Sequence, residues 1–117
     1  MSFPDLFGES RKMQKYFYVY ILASRRNGTL YIGITSDLVK RVWKHKNKLA
    51  DGFTTKYNIN KLVYFEQLND AKTALNREKR LKKYNRQWKL NLIEQANNKW
   101  KDLYEEITSG LSDQVGQ

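Results

Sequence analysis

The stretch 16-YFYVYILASRRNGTLYIGI-34 leaves this chain little freedom in its local structure. Residues 16–23 are aromatic, β-branched or aliphatic, and so short an apolar run reads as a buried strand. Residues 30–34 repeat that chemistry. Between them 24-SRRNGT-29 is polar and contains Asn27-Gly28, a dipeptide that readily takes the left-handed backbone of a hairpin turn. The two strands are therefore expected to be antiparallel neighbours. Strand alternation puts Tyr16, Tyr18 and Tyr20 on one face and Phe17, Val19 and Ile21 on the other. Tyr31 and Gly33 share a face of the second strand. The missing side chain at Gly33 leaves room for a backbone or a ligand to approach.

Beyond the hairpin the period changes. Thr35, Ser36 or Asp37 suits a helix N-cap, and Asp37 also suits the positive end of the helix dipole. A helix is expected from there to about Leu49, broken by Asp51-Gly52, with Leu38, Val42 and Leu49 facing the core. Residues 53–60 read as a polar connection and 61–67 as a third strand. Asn69 or Asp70 caps a helix over about 71–84, whose inward side is marked by Ala71, Ala74, Leu75 and Leu81. A junction at Lys83-Tyr84-Asn85 leads to a helix over 86–96, and 99–106 adds a last turn. The order is β-β-α-β-α-α. The expected class is α/β in the sense of a small α+β sandwich, a three-stranded antiparallel sheet flanked by helices. One domain over 15–106 is expected, between a flexible arm at 1–14 and a flexible tail at 107–117.

Charge narrows the class of partner. The formal net charge is +10. All 22 lysines and arginines lie within residues 11–101, against six acids there, a local surplus of 16. A domain this basic suits a polyanion, with phosphate contacts supplying affinity. No run approaches the roughly 18 apolar residues of a membrane-crossing helix, and no broad-faced basic amphipathic helix points to a membrane surface. The absence of cysteine rules out disulfides and thiolate metal sites, and a cytoplasmic location is expected.

Two helices carry charge where core is expected. On the first, His45, the only histidine, sits on the Leu38–Val42–Leu49 stripe. Arg41 stands one turn before it, so the two side chains are neighbours. Lys40, Lys44, Lys46 and Lys48 occupy the rest of the helix surface. On the second, Glu78 falls in the middle of the inward arc among Arg77, Lys79, Arg80, Lys82 and Lys83. One reading makes Glu78 an internal salt-bridge partner. The other aims a carboxylate into a basic cleft, where it can hold a hard divalent cation.

Together these positions resemble the GIY-YIG nuclease superfamily, and in particular its small stand-alone bacterial members. The second signature element is intact as Tyr31-Ile32-Gly33. The first is altered to Tyr18-Val19-Tyr20, with Tyr18 in place of the first glycine and Tyr20 at the catalytic tyrosine position. Arg41, His45 and Glu78 match the family's arginine, histidine and metal-binding glutamate. The blocks 53-FTTKYNINKLVYFE-66 and 84-YNRQWKLNLIE-94 are also similar, so the likeness runs over about 16–106. The asparagine that several members carry after the glutamate has no certain match; Asn85 and Asn91 are the candidates.

The resemblance implies a metal-dependent endonuclease acting on DNA, with RNA as a second candidate, on branched, structured or damaged molecules such as repair enzymes meet. It implies one Mg²⁺ or Mn²⁺ on Glu78, charge stabilisation by Arg41, and activation of water by Tyr20 or, as the second choice, Tyr31, with His45 relaying the proton. Lys40, Lys44, Lys46, Lys48, Lys56, Arg80 and Lys83 are expected along the nucleic-acid backbone, with Gly33, Tyr57 and Asn85 in supporting places. The alternative is a non-catalytic DNA- or RNA-binding module on the same scaffold.

Overall fold

The aromatic alternation does form a hairpin. The computed structural model describes residues 15–50 and 52–109. In it β1 (Phe17–Ala23) and β2 (Leu30–Thr35) pair antiparallel, with Tyr20 opposite Gly33 and Leu22 opposite Tyr31. The turn closes where the Gly28 N–H donates to the Arg25 carbonyl at 2.8 Å, and Asn27 takes the left-handed backbone at φ 58°. There follow α1 (Leu38–Lys46), α2 (Gly52–Lys56), β3 (Lys61–Leu68), α3 (Ala71–Lys83) and α4 (Arg86–Ala96). The sheet order is β2-β1-β3, antiparallel throughout, so the most apolar strand is central and β2 is an edge. No helix among the described residues is long and apolar enough to cross a membrane.

Alternation divides the core into two layers. Val19, Ile21 and Ala23 join Ile32 and Val63 on one face, beneath Ala74 and Leu81 of α3 and Ile93 of α4. Tyr20 and Leu22 join Leu62 on the other face, beneath Leu38 and Val42 of α1. In β3 a bulge changes the count: Ile21 pairs with Tyr64 but Leu22 with Leu62. Val63 is the extra residue, so Val63 and Tyr64 both turn to the α3 layer.

Capping agrees with chain chemistry. Asp37 caps α1 by accepting from the Lys40 N–H at 3.1 Å, and Asp70 caps α3 through the Thr73 N–H at 2.8 Å. Asn85 caps α4 through the Trp88 N–H at 2.9 Å. Three expectations are corrected. The first helix stops at Lys46, because Lys48 turns left-handed at φ 59° and the Leu49 N–H bonds back to the Lys44 carbonyl. Leu49 is consequently 63% exposed rather than core. The stretch expected to be a plain polar connection begins with a helical turn, α2. On α3 the buried stripe is narrower than expected, Ala74–Glu78–Leu81, with Ala71 and Leu75 exposed.

Residues 104–109 are helical, and Ile107 packs against the α1 layer, so packed chain continues past 106. The arm expected over 1–14, and residues 110–117 of the expected tail, lie outside the described residues.

One polar clamp fixes α3 to the sheet. Arg77 grips Glu66 of β3 in a fork, with Nε donating to Oε1 at 2.9 Å and Nη2 to Oε2 at 2.8 Å. The Tyr64 hydroxyl donates to the same carboxylate. Burial raises the Glu66 carboxyl, but the Arg77 and Tyr64 hydrogen bonds outweigh it and leave the group below its ordinary value of 4.5. Burial and the neighbouring carboxylate push the Tyr64 hydroxyl up to about 12. A depressed carboxyl contributes stability above its unfolded value, and that stability is lost as pH falls through the folded one. Arg77→Ala is expected to cost about 2 kcal/mol in urea unfolding at pH 7. Below the ordinary glutamate value of 4.5 the gap from wild type should narrow, and an unchanged gap at pH 3 would contradict the clamp.

Candidate active site

The site is built on the cross-strand pair Tyr20 and Gly33. Tyr20 is fully buried on the central strand, and its ring crosses over Gly33 of the edge strand. A Cβ at Gly33 would lie 2.5 Å from the Tyr20 hydroxyl and 2.6 Å from Cζ, closer than real contacts allow. The space at Gly33 thus serves neither a backbone nor a ligand. It is filled by the phenol of its strand partner, whose hydroxyl is thereby carried to the β2 edge.

Helix α1 supplies the next groups. His45 is 3% exposed, and its Nε2 lies 3.3 Å from the Tyr20 hydroxyl. Its Nδ1 lies 2.9 Å from the hydroxyl of Thr54 on α2, which is 2% exposed. The imidazole is therefore held at both nitrogens in a buried row, Thr54–His45–Tyr20. Tyr31 closes the group, half-buried, with its ring centroid 5.4 Å from that of His45 and 6.4 Å from that of Tyr20. Arg41, one turn before His45, is partly exposed. Among the described residues no carboxylate stands within ion-pair distance of it.

The second layer contributes charge across the sheet edge. Glu78 is 9% exposed, at the centre of the buried stripe of α3, and pairs with Lys82 at 3.2 Å. It lies within electrostatic reach of the Tyr20 hydroxyl. Burial first, and Tyr31 second, push the Tyr20 hydroxyl well above the ordinary tyrosine value. Arg41 pulls it down through charge and hydrogen bonding, and Glu78 adds a smaller upward push. Tyr20 is thus a neutral phenol at pH 7, beside a histidine and an arginine and within electrostatic reach of a carboxylate.

The remaining expected residues separate by place. Lys40 and Lys44 join Arg41, Thr35, Ser36 and Asp37 around a cavity of about 190 Å³. Lys46 instead ties α1 to the C-terminal segment, donating to Asp102 and to the Asn60 carbonyl at 3.0 Å. Lys48 is exposed in the turn after α1. Lys56 lies 5.4 Å above the ring of Tyr57. Arg80 and Lys83 are exposed on α3, away from its buried stripe. The Asn85 side chain is engaged in capping α4. Thr54 was not foreseen; it lies in the stretch expected to be a plain connection, and nothing in its neighbours distinguishes it from Thr55.

Among the described residues no three of His, Asp and Glu cluster as a ready-made metal cage. The donor chemistry still suits one hard cation, since Mg²⁺ is commonly held by one or two carboxylates plus substrate phosphate and water. Glu78 is the buried carboxylate within electrostatic reach of Tyr20.

Residues 16–91 match the GIY-YIG catalytic domain. The chain belongs to the GIY-YIG family. This is a family of nucleases, and its domain implies nucleic-acid binding. A UPF0213 protein of Clostridium perfringens is 38% identical over 90 residues, which cover 77% of this chain and 96% of that protein. One from Staphylococcus saprophyticus is 37% identical over 79 residues, covering 68% of this chain and 95% of its own. The solution NMR structure of a UPF0213 protein from Bacillus halodurans is 24% identical and superposes with a TM-score of 0.49, covering 77% of this chain and 95% of that one. In this GIY-YIG domain the second signature is Tyr31-Ile32-Gly33, and its glycine is the one that Tyr20 covers.

Gly33→Ala is expected to destabilise the protein by about 1–3 kcal/mol, because the added methyl strikes the Tyr20 ring. Tyr20→Ala empties a buried site and is costly in itself, but in that background Gly33→Ala should cost clearly less than in the wild type. A thermal-melt double-mutant cycle in which the two changes simply add would show that the ring and the glycine do not share this space.

Proposed function

We propose that this GIY-YIG protein is an endonuclease that hydrolyses phosphodiester bonds in DNA, structured or damaged molecules being its substrate class. The supporting observation is the convergence of Tyr20, Tyr31, Arg41 and His45 at one edge of the sheet, with Glu78 brought within electrostatic reach from the opposite layer. Composition alone would explain phosphate binding. It would not explain a buried carboxylate and, among the described residues, a guanidinium with no carboxylate at ion-pair distance, both within reach of one buried phenol.

In this reading Arg41 meets the negative charge that grows on the phosphate oxygens, a task suited to a cation that never loses its proton. Lys40 and Lys44, which line the same cavity, hold the adjoining backbone without reading bases. Burial favours Tyr31 over Tyr20 for contact with the attacking water, since Tyr31 is partly exposed and Tyr20 is sealed. Tyr31 orients that water. His45, fixed by Thr54 at Nδ1 and facing Tyr20 at Nε2, relays the proton: the Tyr20 hydroxyl gives its own proton to Nε2 as it receives the one released by the water. GIY-YIG nucleases generally use a divalent ion, here Mg²⁺ or Mn²⁺, which when bound supplies a Lewis acid at the phosphate and leaving group. Glu78 would hold it, exchanging the Lys82 partner for the ion. That Lys82 pairing favours the second reading, a binding module whose glutamate is purely structural.

Incubation with supercoiled, single-stranded and branched DNA in Mg²⁺ or Mn²⁺ decides between them. Cleavage is expected, lowered about 100-fold or more by Glu78→Ala and by Arg41→Ala, with binding retained by Glu78→Ala. Cleavage that survives in both variants would overturn the assignment of roles. Binding without cleavage under all these conditions would establish the module.

A further inference from the structure

We propose that Phe53 and Tyr57 form a stacking platform for one unpaired nucleobase beside the site, so that the DNA bound there is unpaired next to the cut. This rests on the nuclease reading above and gives it a substrate class.

The two rings are large, apolar and in water. Phe53 is 45% exposed and Tyr57 48% exposed, with centroids 5.0 Å apart and planes at 55°. Neither belongs to, or packs against, either core cluster. The pair Tyr84 and Trp88 is the useful contrast. It has the same spacing and a centroid distance of 5.3 Å, but Tyr84 packs on the core.

Position makes the pair informative. Phe53 immediately precedes Thr54, the residue that holds His45 Nδ1 at 2.9 Å. The same turn carries Lys56, whose Nζ lies 5.4 Å above the Tyr57 ring. Buried Thr54 bolts α2 to the site, and exposed Phe53 and Tyr57 stand on either side of it in sequence. Exposed aromatic faces with a cation alongside are what single-stranded nucleic acid uses, stacking a base on the ring and a phosphate near the charge. A base inside a duplex already has both faces stacked on its neighbours. Only an unpaired one, in a single strand, flap or bubble, can take the platform.

The test reads binding without divalent ions, by fluorescence anisotropy at one fixed salt concentration, on a single strand and on a blunt duplex of the same sequence. Phe53→Ala and Tyr57→Ala are each expected to weaken single-strand binding about tenfold and duplex binding less than about twofold. Tyr57→Trp, which keeps a stacking face, should retain single-strand affinity. Wild type should bind an abasic strand about as weakly as Phe53→Ala binds the intact one. Equal losses on both DNAs, no loss on the single strand, or an abasic strand bound as tightly as the intact one would each overturn the platform. Because no cleavage is involved, a failed nuclease assay leaves this result standing. Cleavage together with equal losses on both DNAs removes the platform alone.

Discussion

The rest of the site depends on a phenol lying across a glycine. Tyr20 belongs to the central strand, the worst-placed strand in the sheet for reaching a surface. Its hydroxyl reaches the edge only because its partner on β2 is Gly33, where any β-carbon would collide with the ring. Once there, the hydroxyl fixes His45 of α1, and His45 fixes Thr54 of α2. One missing methyl therefore sets the relation between the sheet and two successive helical segments. This is also why burial and chemistry coincide. The burial that seals Tyr20, with Tyr31 beside it, also raises its hydroxyl above the ordinary range and keeps it a neutral partner for the imidazole.

Much of this was legible in the sequence because it depends on alternation and capping. Strand period alone separated Val19 and Ile21 from Tyr20, and the two core layers follow that division. Asp37, Asp70 and Asn85 stand where orphan N–H groups need acceptors. Arg41, His45 and Glu78 were legible as polar residues on apolar stripes. The misreadings arose where a local rule met a tertiary decision. Leu49 continues the helical period, but Lys48 takes a left-handed backbone that no propensity of lysine foretells. Leu75 has the right chemistry for the core, yet α3 buries only a narrow stripe on the sheet. Thr54 was invisible for a different reason. Its role comes from a contact with His45 nine residues away, and a threonine in a polar stretch signals no such contact. Likewise the gap at Gly33 was legible as a gap, but its occupant requires the cross-strand register.

The distribution of carboxylates separates Glu78 from its peers. In so basic a chain an acid readily meets a cation, so a salt bridge alone says little. What differs is the structural work each acid does. Asp37 and Asp70 cap helices. Glu66 joins β3 to α3 through the Arg77 fork, and Glu94 accepts from the Trp100 indole at 2.9 Å. Asp102 ties Lys46 and the Leu62 N–H to the C-terminal segment. Each of these joins parts of the chain or satisfies a helix end. Glu78 is as buried as any of them, yet its ion-pair partner is Lys82 of its own helix, more than half exposed at 54%. Such an i, i+4 pair contributes only about 0.3–0.5 kcal/mol. That is small beside the cost of taking a carboxylate out of water. The fold therefore tolerates Glu78 rather than depending on it. The Arg77 clamp one residue earlier holds α3 against β3 through the sheet, so the helix keeps its position whether or not Glu78 is paired. A carboxylate so weakly engaged by its own chain is one that a cation or a phosphate-bound ion can recruit without unfolding anything.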